Sequence, residues 1–187
     1  VSFSGKPHGY VDQALAAQTR VAGRDPVELL YDRLLDDGGT AVYVLFGANY
    51  VEGNLDVCRE MLADPNTVSG LSDAGAHVNF ICDMTNPAFH LTHWVRDRTR
   101  GERLPIELVV AKATGVPARI YGFTDRGTLE VGKRADVNIV DLDRLHIHRP
   151  ELRNDLPAGG QRFLQLASGY VATLVNGVAV REHDADT

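Results

Sequence analysis

The stretch Thr67-Val68-Ser69-Gly70-Leu71-Ser72-Asp73-Ala74-Gly75-Ala76-His77 decides how this chain is read. Asp64-Pro65-Asn66 supplies a turn, and the small and apolar residues after it predict a strand over 67–72 with Asp73 at its C-terminal end. Parallel α/β folds collect their ligands beyond the carboxyl ends of their strands. Asp73 is therefore a candidate site residue from its placement alone, and Ser72 and Gly75 suit a tight turn beside it.

Working outward, Asn54 to about Ala63 predicts a helix, and Ala41-Val42-Tyr43-Val44-Leu45-Phe46 is the near-continuous apolar run of a strand buried on both faces. Two strands around one helix predict a right-handed crossover with the strands parallel and adjacent. Asn49 and Tyr50 lie in the loop that follows the first of these strands. Further upstream, residues 11–22 can form a helix, and Asp25-Pro26-Val27-Glu28 reads as an N-cap, a proline in the first turn and an early acid. That helix runs through Leu34-Leu35 and stops at Gly38-Gly39.

Downstream, helical patterns return at 88–100 and from Pro105 to about Ala113. After about residue 122 the period changes. Val137-Asn138-Ile139-Val140 alternates as a strand does, and Tyr170 to Val175 followed by Asn176-Gly177 is a two-residue hairpin signal. These patterns divide the chain into an α/β part, 1–122, and a β-rich part, 123–187.

With 187 residues, 44% of them apolar, the chain can bury a sizeable core. Its net charge of -6 offers no broad basic surface, so nucleic acid is not an expected partner. No apolar run reaches the roughly 20 residues of a spanning helix, and no signal-peptide pattern opens the chain, so no membrane partner and a cytoplasmic location are expected. Cys58 and Cys82 are too few and too far apart for a disulfide framework or a zinc knuckle. A start at Val1 without methionine suggests a partial chain.

Three segments together resemble the amidohydrolase superfamily, in its N-acyl-D-amino-acid deacylase branch. Gly70 to His77 resembles the end of the eighth strand of that family's barrel, and Thr114-Gly115-Val116-Pro117-Ala118-Arg119-Ile120-Tyr121-Gly122-Phe123 the helix that closes it. Arg126-Gly127-Thr128-Leu129-Glu130-Val131-Gly132-Lys133-Arg134-Ala135-Asp136, running on into Val137 to Asp141, is similar to the return into the family's flanking β-sandwich. The fold this implies is the C-terminal part of a (β/α)8 TIM barrel plus part of a small β-sandwich whose other strands are expected from before Val1. A TIM barrel needs about 250 residues, so this fragment alone is expected to be inactive and prone to self-association.

The resemblance also implies a chemistry. A divalent metal, zinc in kind, lowers the pKa of its water towards neutrality so that hydroxide can attack an amide carbonyl. Asp73 is implied as the metal-contacting acid and base, taking the proton of that water and returning it to the leaving nitrogen. His77, Asn49 and Tyr50 are the implied substrate contacts, and the substrate is a small acylated amine or amide. The family's other metal ligands have no counterpart here. Relatives commonly carry an arginine about ten residues past the aspartate, suited to a substrate carboxylate, whereas Val78 to Met84 contains none. A cyclic-amide hydrolase of the dihydroorotase or hydantoinase kind, and a non-catalytic binding or assembly module, are the alternatives.

Two further histidine pairs read as structural. His90 and His93 share a helical face without the intervening glutamate of a metalloprotease helix, and His146-Ile147-His148 falls in the β-rich tail, away from any barrel mouth.

Overall fold

The computed structural model describes residues 15–39, 43, 48–50, 52–70 and 72–187. They fall into two compact units, 1–55 and 56–187.

In the first unit, α1 is Leu15–Ala22, α2 Pro26–Leu34 and α3 the single turn Asp36–Gly39, with a 3-10 turn at Ala48–Tyr50. The cap expected at Asp25 forms. Its backbone is extended, and its carboxylate accepts from the amides of Val27 at 2.8 Å and Glu28 at 3.2 Å, two of the donors a helix start leaves unpaired. Residues 11–14 of the helix expected at 11–22 lie outside the described residues. So does the strand expected at 41–46, apart from Tyr43, and with it the parallel pairing of that strand to 67–72.

The second unit opens with α4, Asp56–Ala63, close to the expected span. The strand expected at 67–72 is corrected: residues 67–70 and 72 carry no strand pairing. An extended apolar segment becomes a strand only when a neighbouring strand takes its amides and carbonyls, and among the described residues no strand pairs with it. The chain next enters α5, Asn86–Phe89, which widens into a π-helix over His90–Asp97, then α6, Ile106–Ala113, and α7, Gly115–Ile120. The widening has a local cause. Thr92 Oγ1 donates to the Ala88 carbonyl at 3.0 Å, competing for the acceptor that an α-helical amide would use, and by the last turn the Arg98 amide donates to His93 five residues back.

The strands are β1 (Val137–Val140), β2 (His146–Ile147), β3 (Glu151–Leu156), β4 (Gly160–Leu164), β5 (Ala167–Ser168), β6 (Tyr170–Val175), β7 (Val178–Glu182) and β8 (Ala185–Asp186). All described pairs are antiparallel: a sheet in the order β1-β6-β7-β8 and the two-stranded pairs β2-β5 and β3-β4. The Asn176-Gly177 hairpin is present, and Asp136 explains part of the tail motif. Its carboxylate accepts from the Asn176 amide at 2.7 Å while the Gly177 amide donates to the Ala135 carbonyl at 2.9 Å, so the Ala135-Asp136 pair clamps the turn. The boundary expected at 122/123 lies within this second unit. Arg96 of the π-helix reaches the carbonyls of Leu142 and Leu145, and Trp94, Leu104, Val109, Ala118, Leu145 and Ile147 are buried.

Ion pairs at Asp56 fix α4 to the segment after the π-helix. Asp56 accepts from Arg98 Nη2 at 2.6 Å and Arg100 Nε at 2.8 Å, while Arg98, 3% exposed, lies 5.0 Å over the Trp94 ring. Arg100 and Arg98 hold the Asp56 carboxyl below its ordinary range. A depressed folded-state pKa contributes stability above the unfolded-state value, and that contribution is lost as pH falls through the folded one. Asp56→Asn is therefore expected to lower the urea midpoint at neutral pH, with the gap to wild type closing in acid below the ordinary carboxylate range. A gap independent of pH would contradict this role.

Candidate functional site

Asp73 and His77 sit on one loop of the second unit. The carbonyl of Asp73 accepts from the Ala76 amide at 3.1 Å, and that of His77 accepts from Phe80 and Ile81 at 2.8 and 2.9 Å, so the loop is two successive backbone turns. Both residues have left-handed backbones, with φ of 50° at Asp73 and 46° at His77. Non-glycine residues rarely adopt this region, and they do so chiefly where surrounding structure imposes it. Gly75, at φ 91°, meets the expectation of a tight turn: nothing crowds the place of a Cβ there, so the backbone angle alone calls for glycine.

The side chains of Asp73 and His77 are exposed. Among the described residues the Asp73 carboxylate accepts no hydrogen bond. It is nevertheless felt by Asp83, whose carboxyl is pushed up by partial burial and by the Asp73 charge. Asn49 and Tyr50 lie on the 3-10 turn of the first unit, Asn49 exposed and Tyr50 half-buried, with the Tyr50 carbonyl accepting from Gly53 at 2.9 Å. No group of three or more His, Cys, Asp or Glu side chains that could hold a metal occurs among the described residues.

The two remaining histidine pairs lie in the second unit. His93 is buried, stacked on Phe89 at 4.9 Å, and burial holds the His90 imidazole below its ordinary pKa. His148 Nε2 lies 2.9 Å from Ser168 Oγ, and its ring meets that of His146 edge-on. A small pocket lined by Leu62, Ser69, His90, Trp94, Leu104 and Lys112 lies inside this unit.

Sequence reasoning missed the groups that fix the ends of the Asp73 loop. Lys112, 3% exposed, donates from Nζ to the Thr67 carbonyl at 2.6 Å, to Thr67 Oγ1 at 2.9 Å and to the Asp64 carbonyl. Thr85 Oγ1 donates to Gln165 Oε1 at 2.6 Å, Gln165 Nε2 donates to the His148 carbonyl at 3.1 Å, and the Phe163 amide donates to the Val78 carbonyl at 2.7 Å. A signal existed for Lys112: in α6 it falls three and four residues after Val109 and Leu108, on the apolar stripe. Nothing local marks Gln165.

Residues 8–181 match the amidohydrolase family. Uncharacterized proteins of Mycobacterium bovis and Mycobacterium tuberculosis are 33% identical over 126 residues, which is 66% of this chain and 20% of theirs. An N-acyl-D-glutamate deacylase of Alcaligenes xylosoxydans xylosoxydans is 47% identical over 53 residues, 28% of this chain and 10% of that enzyme. The matched regions thus span a fifth or less of these relatives. No solved structure matches the chain.

Proposed function

The chain belongs to the amidohydrolase family as a D-aminoacylase-like member, and from that premise we propose that it is the C-terminal part of a metal-dependent hydrolase that cleaves the C–N bond of an N-acylated D-amino acid. In this proposal residues 1–122 belong to the end of a (β/α)8 barrel and 123–187 to its flanking β domain. The observation that carries it is Asp73: an exposed carboxylate, held on a left-handed turn, that accepts no hydrogen bond from the described residues.

Such a carboxylate is free to accept a proton from an attacking water and to pass it to the departing amine, general base and then general acid work. Protonating the nitrogen matters because an amide anion is too poor a leaving group to depart near neutral pH. His77, four residues on in the same loop, is assigned to the substrate, and Asn49 and Tyr50 to the same role. The described residues do not by themselves fit a metal centre, having no cluster of ligating side chains. A divalent cation, zinc in kind, with Asp73 as this chain's contact, is accordingly assigned to the full-length protein, where it would activate water.

The test is metal analysis of the purified full-length product, followed by a panel of N-acyl-D-amino acids, their L-enantiomers and cyclic imides. Metal-dependent release of free D-amino acid is the expected result. Turnover confined to cyclic imides would move the protein to the cyclic-amide hydrolases, and a metal-free product inactive on every member would leave a binding module.

A further inference from the structure

We infer that Lys112, at the entrance of the Asp73 loop, and the Thr85–Gln165 pair, at its exit, are positioning residues that act through Asp73. The inference rests on the reading of Asp73 as the proton carrier, and it concerns groups that no motif of the chain marks.

At the entrance, an ammonium has three N–H donors, and Lys112 finds three acceptors, two carbonyls and a hydroxyl, all within Asp64 to Thr67. A buried lysine is tolerated only when its donors are satisfied. Meeting all three at once ties the turn before the loop to α6 in a single arrangement, six residues ahead of Asp73. At the exit, Gln165 is 6% exposed and uses both ends of its amide, accepting from Thr85 and donating to His148. The Phe163–Val78 bond lies beside it, so the β-rich tail holds the far side of the loop.

Between the two fastenings lie two residues in left-handed backbone, a conformation that an untied loop of L-residues leaves readily. The fastenings supply the constraint. Loosening either one lets the turn relax and the carboxylate leave its place, and misplacement of a reacting group by about 1 Å can cost on the order of a hundredfold in rate. Substrate binding, which draws on other contacts, changes less.

The experiment compares Thr85→Val, which keeps the shape and removes the hydroxyl, with Thr85→Ser, which keeps the hydroxyl, and adds Lys112→Met. Each is made in the full-length protein, in both the wild-type and the Asp73→Asn background. Turnover and KM are measured on its best substrate at a temperature where unfolding curves show every variant folded. Thr85→Val is expected to lower kcat by about tenfold or more with KM little changed, Thr85→Ser to restore it, and Lys112→Met to act in the same sense. In the Asp73→Asn background Thr85→Val is expected to add nothing, because the group it positions is gone. Should Lys112→Met fail to fold, the Thr85 pair decides alone. Unchanged kcat in Thr85→Val, or an equal loss in both backgrounds, overturns the inference while leaving the proton-carrier reading intact. Near-normal turnover of Asp73→Asn itself overturns both.

Discussion

Asp73→Asn in the full-length protein is expected to slow amide hydrolysis by roughly a hundredfold or more, the scale of a lost general acid and base. Asparagine keeps the size of the side chain and some of its hydrogen bonding, so KM should change much less than kcat. Metal content should stay near that of wild type if, as proposed, ligands elsewhere in the full-length protein hold the cation. Asp83→Asn is the control. It lies ten residues on in the same loop, close enough to Asp73 for the charge of one to raise the pKa of the other, and its removal is expected to be mild. Steady-state kinetics with metal analysis on both variants is the measurement. Normal turnover in Asp73→Asn would end the strand-eight assignment and most of the mechanism with it.

Legibility of this chain followed the range of the interactions involved. The cap at Asp25, the span of α4 and the Asn176-Gly177 hairpin are decided within a few residues, and each could be read directly. The composition of 67–72 suits a strand, yet strand pairing is made with a neighbouring strand, and among the described residues none pairs with 67–70 or 72. Asp73 and His77 were legible as site candidates through their order in a motif. Their left-handed backbones were not, since an aspartate and a histidine do not announce that conformation as a glycine does. The groups that hold the loop were hidden for the same reason of range: Gln165 lies eighty residues from Thr85 and Lys112 forty-five from Thr67. A glutamine in a β-rich tail looks the same in sequence whether or not it holds a distant loop.

Gly127→Ala is expected to be strongly destabilising. Gly127 has φ of 92°, which an L-residue adopts only with strain, and a Cβ there would lie 2.5 Å from the Ala118 Cβ and 3.2 Å from the Thr114 carbonyl oxygen. The contact joins two segments of the resemblance, the helix carrying Thr114 to Ala118 and the turn carrying Gly127, and it accounts for a small residue on each side. Backbone strain of about 1–3 kcal/mol and overpacking of about 1–3 kcal/mol together give a loss of roughly 2–6 kcal/mol, a large share of the about 5–15 kcal/mol by which domains are usually stable. Because Ala118 is buried within α7 and cannot turn outward, the overlap has to be relieved by moving the helix or the turn. Ala118→Gly removes the closer of the two atoms, at the cost of about 1 kcal/mol for a glycine in a helix. The double variant should therefore recover part of the loss, leaving the backbone strain, the tight approach to Thr114 and Gly115, and the helix cost. Urea midpoints of the wild type, both single variants and the double variant close the cycle. If Gly127→Ala unfolded at the wild-type midpoint, α7 and the turn would not meet at this distance. If Ala118→Gly gave no relief, the damage would come from the backbone angle and the approach to Thr114 and Gly115 rather than from the Ala118 Cβ.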